Sequence, residues 1–414
     1  MSDISEWQRL LDQNQPRCLE AELLITTPMF IGDGQQQAEG IRPPSIKGAL
    51  RFWWRALFWS DFMAQAANNE HQALKLLHAA EADLFGSAVR DQQGGQSRFS
   101  IDVDYALPGK QQEWSPQGGS QYLLGQGCYH FRNGITRTYL NAGERFQLRL
   151  SAKPGAQAPS DSQWQQLEKA LLLWGLLGGL GSRGRKGIGS VSLQSLSGGD
   201  YSAPQNRTDY LQQLKALIEP ATTLTKRPPF TALSQHSRLD LSATGRSALE
   251  LLNTVGEALQ LYRAWGRNDK VGNQRALKNF PDDHHDGLAA ISGKRPPQPA
   301  ARAVFGLPHN YFFSSTTQKL DVAVKKTSMN GDRRATPLFI HVHQLPTGEV
   351  LAMQLLIPAQ FLPDESPYLE YKARGVRFDV VMRDEEIDWG IITRYLDQHF
   401  PLAETLISTG GASQ

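Results

Sequence analysis

The chain has 414 residues, with 43 Lys and Arg against 41 Asp and Glu and a net charge of +2. That length exceeds what one hydrophobic core usually fills, so two globular domains are expected. The near-balance of charge excludes a uniformly basic nucleic-acid coat and a long charged tail, and leaves any affinity for polyanions to local clusters.

Residues 19–27 alternate apolar and polar side chains and predict a strand with one covered face, ended by Pro28, Gly32, Asp33 and Gly34. Ser45 offers an N-cap behind Pro43-Pro44 for a helix over 46–62, where Leu50, Trp54 and Leu57 recur at helical spacing. A second helix is expected over 73–85, stopped by Gly86. Strands over 99–103 and 146–150 flank a Gly, Pro and Gln rich insertion over 107–119, which reads as a surface excursion. Residues 163–177 place Leu167, Ala170, Leu171 and Trp174 on one helical face, and 188–193 closes the series as a strand. The order β, α, β, β, α, β is the split ferredoxin-like arrangement.

Residues 195–205, rich in Ser, Gly and Pro, separate a first domain over 1–195 from a second over 205–414. The second is expected to repeat the plan, with a helix over 208–218, a strand over 238–241, a helix over 243–265, strands over 338–343 and 350–357, and a helix over 385–400. A long polar segment over 266–299 reads as a loop. The fold class is therefore α+β, two ferredoxin-like (RRM-like) domains with insertions.

Two stretches concentrate positive charge without an acid between. Residues 40–60 hold Arg42, Lys47, Arg51 and Arg55, and Arg183, Arg185 and Lys186 lie between Ala170 and Asp200. Lys47, Arg51 and Arg55 are four apart in turn, so a helix lines them along one stripe. Like charges at that spacing repel by about 0.3 kcal/mol per pair, which suits a polyanion laid across them, or else acids supplied from elsewhere in the fold. In the second stretch, glycines from Gly178 to Gly189 let the main chain take positive φ and approach a phosphate closely. Gly181, Ser182 and Gly184 with Arg183, Arg185 and Lys186 thus make an anion grip, or more simply a helix-to-strand turn.

Gly179, Gly181 and Gly184 spell G-x-G-x-x-G, but a helix precedes and a strand follows, the reverse of a dinucleotide site; no Gly-Lys-Ser or Gly-Lys-Thr makes a Walker loop. No cofactor is called for. Cys18 and Cys128 are too few for a disulfide framework or a thiolate zinc site and fit a reducing cytosol. No basic stretch followed by an apolar core opens the chain as a secretory signal would. His341 with His343, and His284-His285 among Asp282, Asp283 and Asp286, lack the spacing of a known ligand set, so no metal is expected. Trp53, Trp54 and Trp59 read as core before base-stacking platforms.

Thr27-Pro28-Met29-Phe30-Ile31-Gly32, followed by Ile41-Arg42-Pro43-Pro44-Ser45-Ile46-Lys47-Gly48-Ala49-Leu50-Arg51-Phe52-Trp53-Trp54-Arg55, resembles the opening of the first RAMP subunit of the type III-B CRISPR RNA-silencing (Cmr) complex. Glu81-Ala82-Asp83-Leu84-Phe85-Gly86-Ser87 resembles the element that follows it, and residues 179–189 resemble the glycine-rich loop of the RAMP superfamily. Arg302-Ala303-Val304-Phe305-Gly306-Leu307-Pro308 and Arg333-Arg334-Ala335-Thr336-Pro337-Leu338 resemble family motifs of the second half. The resemblance implies a cytoplasmic, non-catalytic subunit that grips RNA near the 3′ end of the CRISPR RNA and aids target RNA capture in antiviral defence. Its partners would be CRISPR RNA, target RNA and other Cmr subunits, above all the backbone and neighbouring RAMP subunits. The RNA contacts fall on Arg42, Lys47, Arg51, Arg55, Gly181, Ser182, Arg183, Gly184, Arg185 and Lys186. The alternative is a RAMP-type metal-independent endoribonuclease, for which His130 and His309 are the nominees, with nothing in the sequence to put either near a basic stretch.

Overall fold

The computed structural model describes residues 16–408, apart from Asp33, Gln36, 89–94, 107–111 and 328–330. The first half runs β1 (Cys18–Ile25), α1 (Pro43–Gln65), α2 (Glu70–Phe85), β2 (Phe99–Asp104), α3 (Gly118–Leu124), β3 (Tyr129–His130), β4 (Gly134–Ile135), β5 (Arg145–Ala152), α4 (Asp161–Leu177) and β6 (Val191–Ser197). Four of these strands form one antiparallel sheet in the order β2-β5-β1-β6. That is the ferredoxin-like order, with the first and third strands of the motif at the centre.

Helix α1 begins earlier than the sequence suggests. Arg42 occupies the N-cap, and Pro43-Pro44, rather than preceding the helix, form its first turn, where the missing amides are orphans in any case. Its inner face buries Leu50, Trp53, Trp54, Leu57 and Trp59, and the Trp54 indole donates to Gln166 Oε1 at 3.0 Å. The tryptophans are core, as their spacing implies.

The second half runs α5 (Arg207–Ile218), β7 (Arg238–Gly245), α6 (Ala248–Arg263), β8 (Lys270–Val271), β9 (Gln274–Arg275), α7 (Pro281–Ile291), β10 (His309–Phe313), β11 (Gln318–Val324), β12 (Leu338–Gln344), β13 (Val350–Leu356), β14 (Tyr368–Ala373), β15 (Val376–Val381), α8 (Gly390–His399) and β16 (Glu404–Ile407). The sheet order β12-β13-β7-β16 repeats that of the first half, strand for strand. Residues 243–245 are strand and not helix, because Ala243, Thr244 and Gly245 stay in register with Ala352, Leu351 and Val350.

Two expectations are corrected. The polar segment 266–299 is not simply a loop. It forms the β8–β9 hairpin and then α7, where Pro281 sits in the first turn with Asp282 and Asp283 and a buried stripe, Asp283, Gly287 and Ala290, faces inward. Gly287 lies so close to Phe313 that a Cβ would come within 2.8 Å of its ring. Nor is the insertion over 107–119 only a surface excursion. Residues 107–111 lie outside the described residues, but from Gly118 the chain turns into α3, which packs against α6 glycine to glycine. A Cβ on Gly119 would stand 2.1 Å from the Asn253 carbonyl oxygen, and one on Gly256 would stand 2.3 Å from that of Gly119. A further antiparallel sheet, β10-β11-β14-β15, was not anticipated.

Both cores mix the halves. Leu239, Leu241, Phe339 and Met353 join the first sheet's core, while Phe30, Leu123, Leu124 and Ile188 join that of the second. No helix among the described residues is long and apolar enough to cross a membrane.

His341 and His343 are buried on β12, and the His343 ring stacks on Tyr210 at 4.4 Å. Burial pulls His341 down to about 3 and His343 well below the ordinary imidazole value. Both rings are neutral in the fold, whereas the unfolded chain protonates them below about pH 6.5. Stability is therefore complete above that pH and lost as the pH falls toward the folded values. Each ring is expected to cost about 2 kcal/mol by about pH 5, read from urea unfolding at neutral and acid pH, and His343→Phe should remove roughly half of that loss.

Candidate nucleic-acid interface

The glycine-rich segment that follows α4 closes on itself. Gly179 bridges Ser190, and the Leu180 amide donates to the Gly189 carbonyl at 2.9 Å. The loop lies flat on the turn after β1. The Ser182 amide donates to the Phe30 carbonyl at 2.8 Å, the Gly189 amide to Pro28 at 3.0 Å, and the Thr27 hydroxyl to the Gly187 carbonyl at 2.6 Å. Close approach explains the glycines at two positions in particular. Gly181 has φ of +81°, and its Cβ would meet the Phe30 oxygen at 2.5 Å; Gly189 has φ of +69°, and its Cβ would meet the Leu180 oxygen at 2.1 Å.

The far side of the loop meets the second half. The Ile340 amide of β12 donates to the Arg185 carbonyl at 3.0 Å. Further along, the Val342 amide donates to the Ser190 hydroxyl at 3.2 Å and the Gln344 amide to the Ser192 hydroxyl at 2.9 Å. Gln194 Nε2 returns a bond to the Gln344 carbonyl at 2.9 Å. The open edge of β12 is thus stitched to the loop and to β6.

This stitching decides where the loop's cations point. Arg183, in the left-handed region at φ +66°, is exposed. Arg185 is drawn into the seam, with its guanidinium over Phe339 at 4.5 Å and Phe52 at 5.3 Å and a bond to the Thr336 carbonyl at 2.9 Å. Burial, with a smaller contribution from Arg334, pulls it down to about 10. Lys186 keeps part of its surface open, but its ammonium nitrogen is sealed and unbonded. Two of the three cations expected to contact RNA, Arg185 and Lys186, therefore have their charged ends turned inward, with their main chain pinned beside β12. Ser182 and Gly184 are half-buried, and Gly181 is exposed.

On α1, Lys47, Arg51 and Arg55 do share one half-buried stripe. Arg51 pairs with Glu81 of α2 at 2.6 Å, and Arg55 reaches the same carboxylate at 3.6 Å. Glu81 is only 4% exposed. The stripe is thus partly answered by an acid from elsewhere in the fold, though one carboxylate serves two guanidiniums. Lys47 is pulled down by partial burial and then by Arg51 and Lys153, so its charge is repelled within the stripe. Arg42 is exposed and donates to the Gly32 carbonyl at 2.6 Å. Arg42 thus holds the turn after β1 at Gly32 and the Ser182 amide holds it at Phe30, while the guanidinium of the neighbouring Arg183 lies beside Gly125 and Gly127.

The motifs of the second half converge on the seam. Leu307 bridges Arg334, whose guanidinium stacks on Phe361 at 5.5 Å and donates to the Gln360 carbonyl at 2.6 Å. Arg302 pairs with Asp283 at 3.0 Å and donates to the Arg263 carbonyl at 2.9 Å. Arg263 in turn meets His309 Nε2, and both act on Lys186 electrostatically or are acted on by it. Sequence reasoning missed Arg263 and left His309 away from the basic stretches; no local pattern announces a contact made between side chains 46 residues apart. His130 is exposed at the end of β3, against Phe131 at 4.8 Å. No group of three or more His, Cys, Asp or Glu that could hold a metal occurs among the described residues.

Residues 22–192, which hold the first sheet and the glycine loop, match the family model of the RAMP superfamily. The chain is 31% identical over 159 residues to the CRISPR system Cmr subunit Cmr1-1 of Pyrococcus furiosus, covering 37% of this chain and 40% of that protein. It is 28% identical over 196 residues to Cmr1-2 of the same organism, covering 42% of this chain and 94% of that one. The match thus spans about two fifths of the length of the first of these relatives. The crystal structure of apo Cmr1 from Pyrococcus furiosus superposes with a TM-score of 0.51 at 18% identity, over 95% of this chain and 99% of that one, so the fold is shared nearly end to end. A chain of the type III-B Cmr-beta complex bound to cognate target RNA aligns at a TM-score of 0.48 and 11% identity, over 93% of this chain and 99% of that one. The resemblance to the first Cmr RAMP subunit holds in sequence and in fold.

Glu81 offers a test of the stripe. Glu81→Ala strands two half-exposed guanidiniums, a milder injury than breaking a fully buried pair, and should lower stability by roughly 1–2 kcal/mol in urea unfolding. Glu81→Gln, which keeps one acceptor, should lose less.

Proposed function

We propose that the chain is a non-catalytic RNA-binding subunit of a type III-B CRISPR (Cmr) effector complex, gripping RNA near the 3′ end of the CRISPR RNA and aiding capture of the target RNA. Its partners on this reading are both RNAs and the neighbouring Cmr subunits. The observation that carries it is the pair of exposed cations, Arg42 bound to the turn after β1 and Arg183 on the glycine loop that packs against that turn. Likeness to subunits named for the Cmr system supports the same reading. Contacts of this kind hold the sugar-phosphate backbone and leave sequence unread, which a complex loaded with changing guides requires.

The endoribonuclease alternative gains one observation, the placement of His309 beside Lys186 and Arg263. Burial and three neighbouring cations hold that imidazole well below its ordinary value, so it is neutral at pH 7 and a weak base. This favours the non-catalytic reading. Cleavage of labelled RNA in the presence of EDTA, lost in His309→Ala, would reverse the preference.

The binding reading is tested by fluorescence anisotropy with single-stranded RNA. Arg42→Glu with Arg183→Glu should weaken binding and flatten the plot of log affinity against log salt by about 1.4, two contacts at about 0.7 each. An unchanged slope and affinity would remove these residues, and the reading built on them, from consideration.

A further inference from the structure

The β8–β9 hairpin and the turn before it form a short meander that carries charge in a fixed pattern. Asn268 at φ +51° and Asp269 at φ +57° turn the chain so that Arg267 bridges Lys270: the Arg267 amide donates to the Lys270 carbonyl at 2.9 Å, and the Lys270 amide returns the bond at 3.1 Å. A second turn through Gly272, at φ +58°, folds β9 back so that Lys270 pairs with Arg275 and Val271 with Gln274. Both turns use the left-handed backbone that suits a two-residue hairpin. Residues directly opposite in a ladder put their side chains on one face, so Arg267, Lys270 and Arg275 stand in a row about 10 Å across. Because the Lys270 amide and carbonyl both turn to Arg267, its pairing with Arg275 is the non-hydrogen-bonded kind, which brings two side chains closest.

All three cations are exposed, and among the described residues none forms an ion pair. Asp269, the acid of the meander, is bound by Lys278, with Arg275 acting on it more weakly. Like charges directly opposite destabilise a strand pair, so the row works against the hairpin that displays it. The hairpin holds because its base is anchored. Val271 and Ala276 are buried on its other face, and Lys278 lies over the Trp265 ring at 5.3 Å, which in turn stacks on His284 of α7 at 4.0 Å. The repulsion is relieved by a line of negative charge laid along the row. From residue 267 to 275 every exposed side chain is polar or charged, whereas the centre of a protein interface is apolar and depleted in lysine. A sugar-phosphate strand, with one charge per nucleotide and no apolar patch to cover, fits the row better than a protein surface does.

We infer that Arg267, Lys270 and Arg275 make a second RNA contact, on the same strand that Arg42 and Arg183 hold. This rests on the RNA-binding reading above and extends it, since it gives the second half a part in the grip. A chain of contacts leads from one contact to the other. The Arg183 guanidinium lies beside Gly125 and Gly127, and Gln126 between them accepts from Asn310 Nδ2 at 3.3 Å. His309, next to Asn310, meets Arg263, four residues before Arg267. Gln126 and Asn310 are exposed, so the path lies at the surface.

The test uses the full chain and labelled single-stranded RNA in the anisotropy assay. Arg267→Gln, Lys270→Gln and Arg275→Gln together should flatten the plot of log affinity against log salt by about 2, three contacts at about 0.7 each. The melting temperature of that variant should not fall, because a like-charge pair is gone and no side-chain bond is lost. The exchange Lys270→Arg with Arg275→Lys, which keeps the charge, should bind as the wild type does. Should the triple variant melt lower, Lys270→Gln alone, with a flattening of about 0.7, gives the same comparison. An unchanged slope overturns the second contact. If Arg42→Glu with Arg183→Glu still weakens binding, the row alone fails; if neither set changes affinity, the RNA-binding reading falls with it. Labelled poly-glutamate of the same length is the second probe. Binding of poly-glutamate as tight as that of RNA, and lost in the triple variant, makes an acidic protein the occupant and overturns the proposal.

Discussion

The structure depends on the meeting of two sheet edges. A strand at the edge of a sheet exposes unpaired amides and carbonyls and invites a stranger to pair with it. Here β12 ends one sheet and β6 the other, and the amides of Ile340, Val342 and Gln344 are taken by the Arg185 carbonyl and by the hydroxyls of Ser190 and Ser192. The glycine-rich segment is therefore the joint between halves as well as a loop. Pinning the Arg185 and Lys186 main chain beside β12 leaves their side chains no route but inward, and leaves Arg183 alone on the outside. A loop free to flex would have let all three face solvent.

Desolvation then separates cations that look equivalent in the sequence. Arg185 is half-buried over two phenylalanine rings yet keeps a carbonyl acceptor, so its charge is tolerated. Lys186, one residue on, has no acceptor. On α1, Arg51 and Arg55 share the single carboxylate of Glu81, which leaves the stripe positive on balance and holds both guanidiniums in place. The Glu81 to Ser87 stretch resembles a family motif, and its acids give that likeness a physical content: Glu81 fixes the stripe, while Asp83 pairs with Arg98 at 2.6 Å beside β2.

Local patterns were enough to read the first ferredoxin-like sheet and three of the four strands of the second, β16 carrying no expectation of its own. The alternation in β1, the helical recurrence of Leu50, Trp54 and Leu57, and the glycine stops at Gly86 and Gly178 are short-range signals, and each element they predict is present within a few residues. What escaped notice is set by partners far away in the chain. Helix α7 reads as polar because Asp282 and His285 are exposed, and only Asp283, Gly287 and Ala290 betray its inner side. Helix α3 looks like a glycine-rich insertion because its role is to approach α6 so closely that only glycine fits. The charge of Arg263 says nothing of Lys186 until β12 has brought the halves together.

The duplication of the fold is not a duplication of chemistry. In the first half the connection from the second motif helix to the last strand is the glycine loop. Its counterpart in the second half, between α8 and β16, is Phe400-Pro401-Leu402-Ala403, with neither a glycine nor a cation. Leu402 there is 97% exposed, so that turn has no charge to offer a polyanion. The second sheet instead covers the first half's loop, and its motif residues Arg302 and Arg334 spend their charge on Asp283 and on the Gln360 carbonyl within the seam. One copy of the plan thus presents the basic surface, and the other fixes its shape from behind.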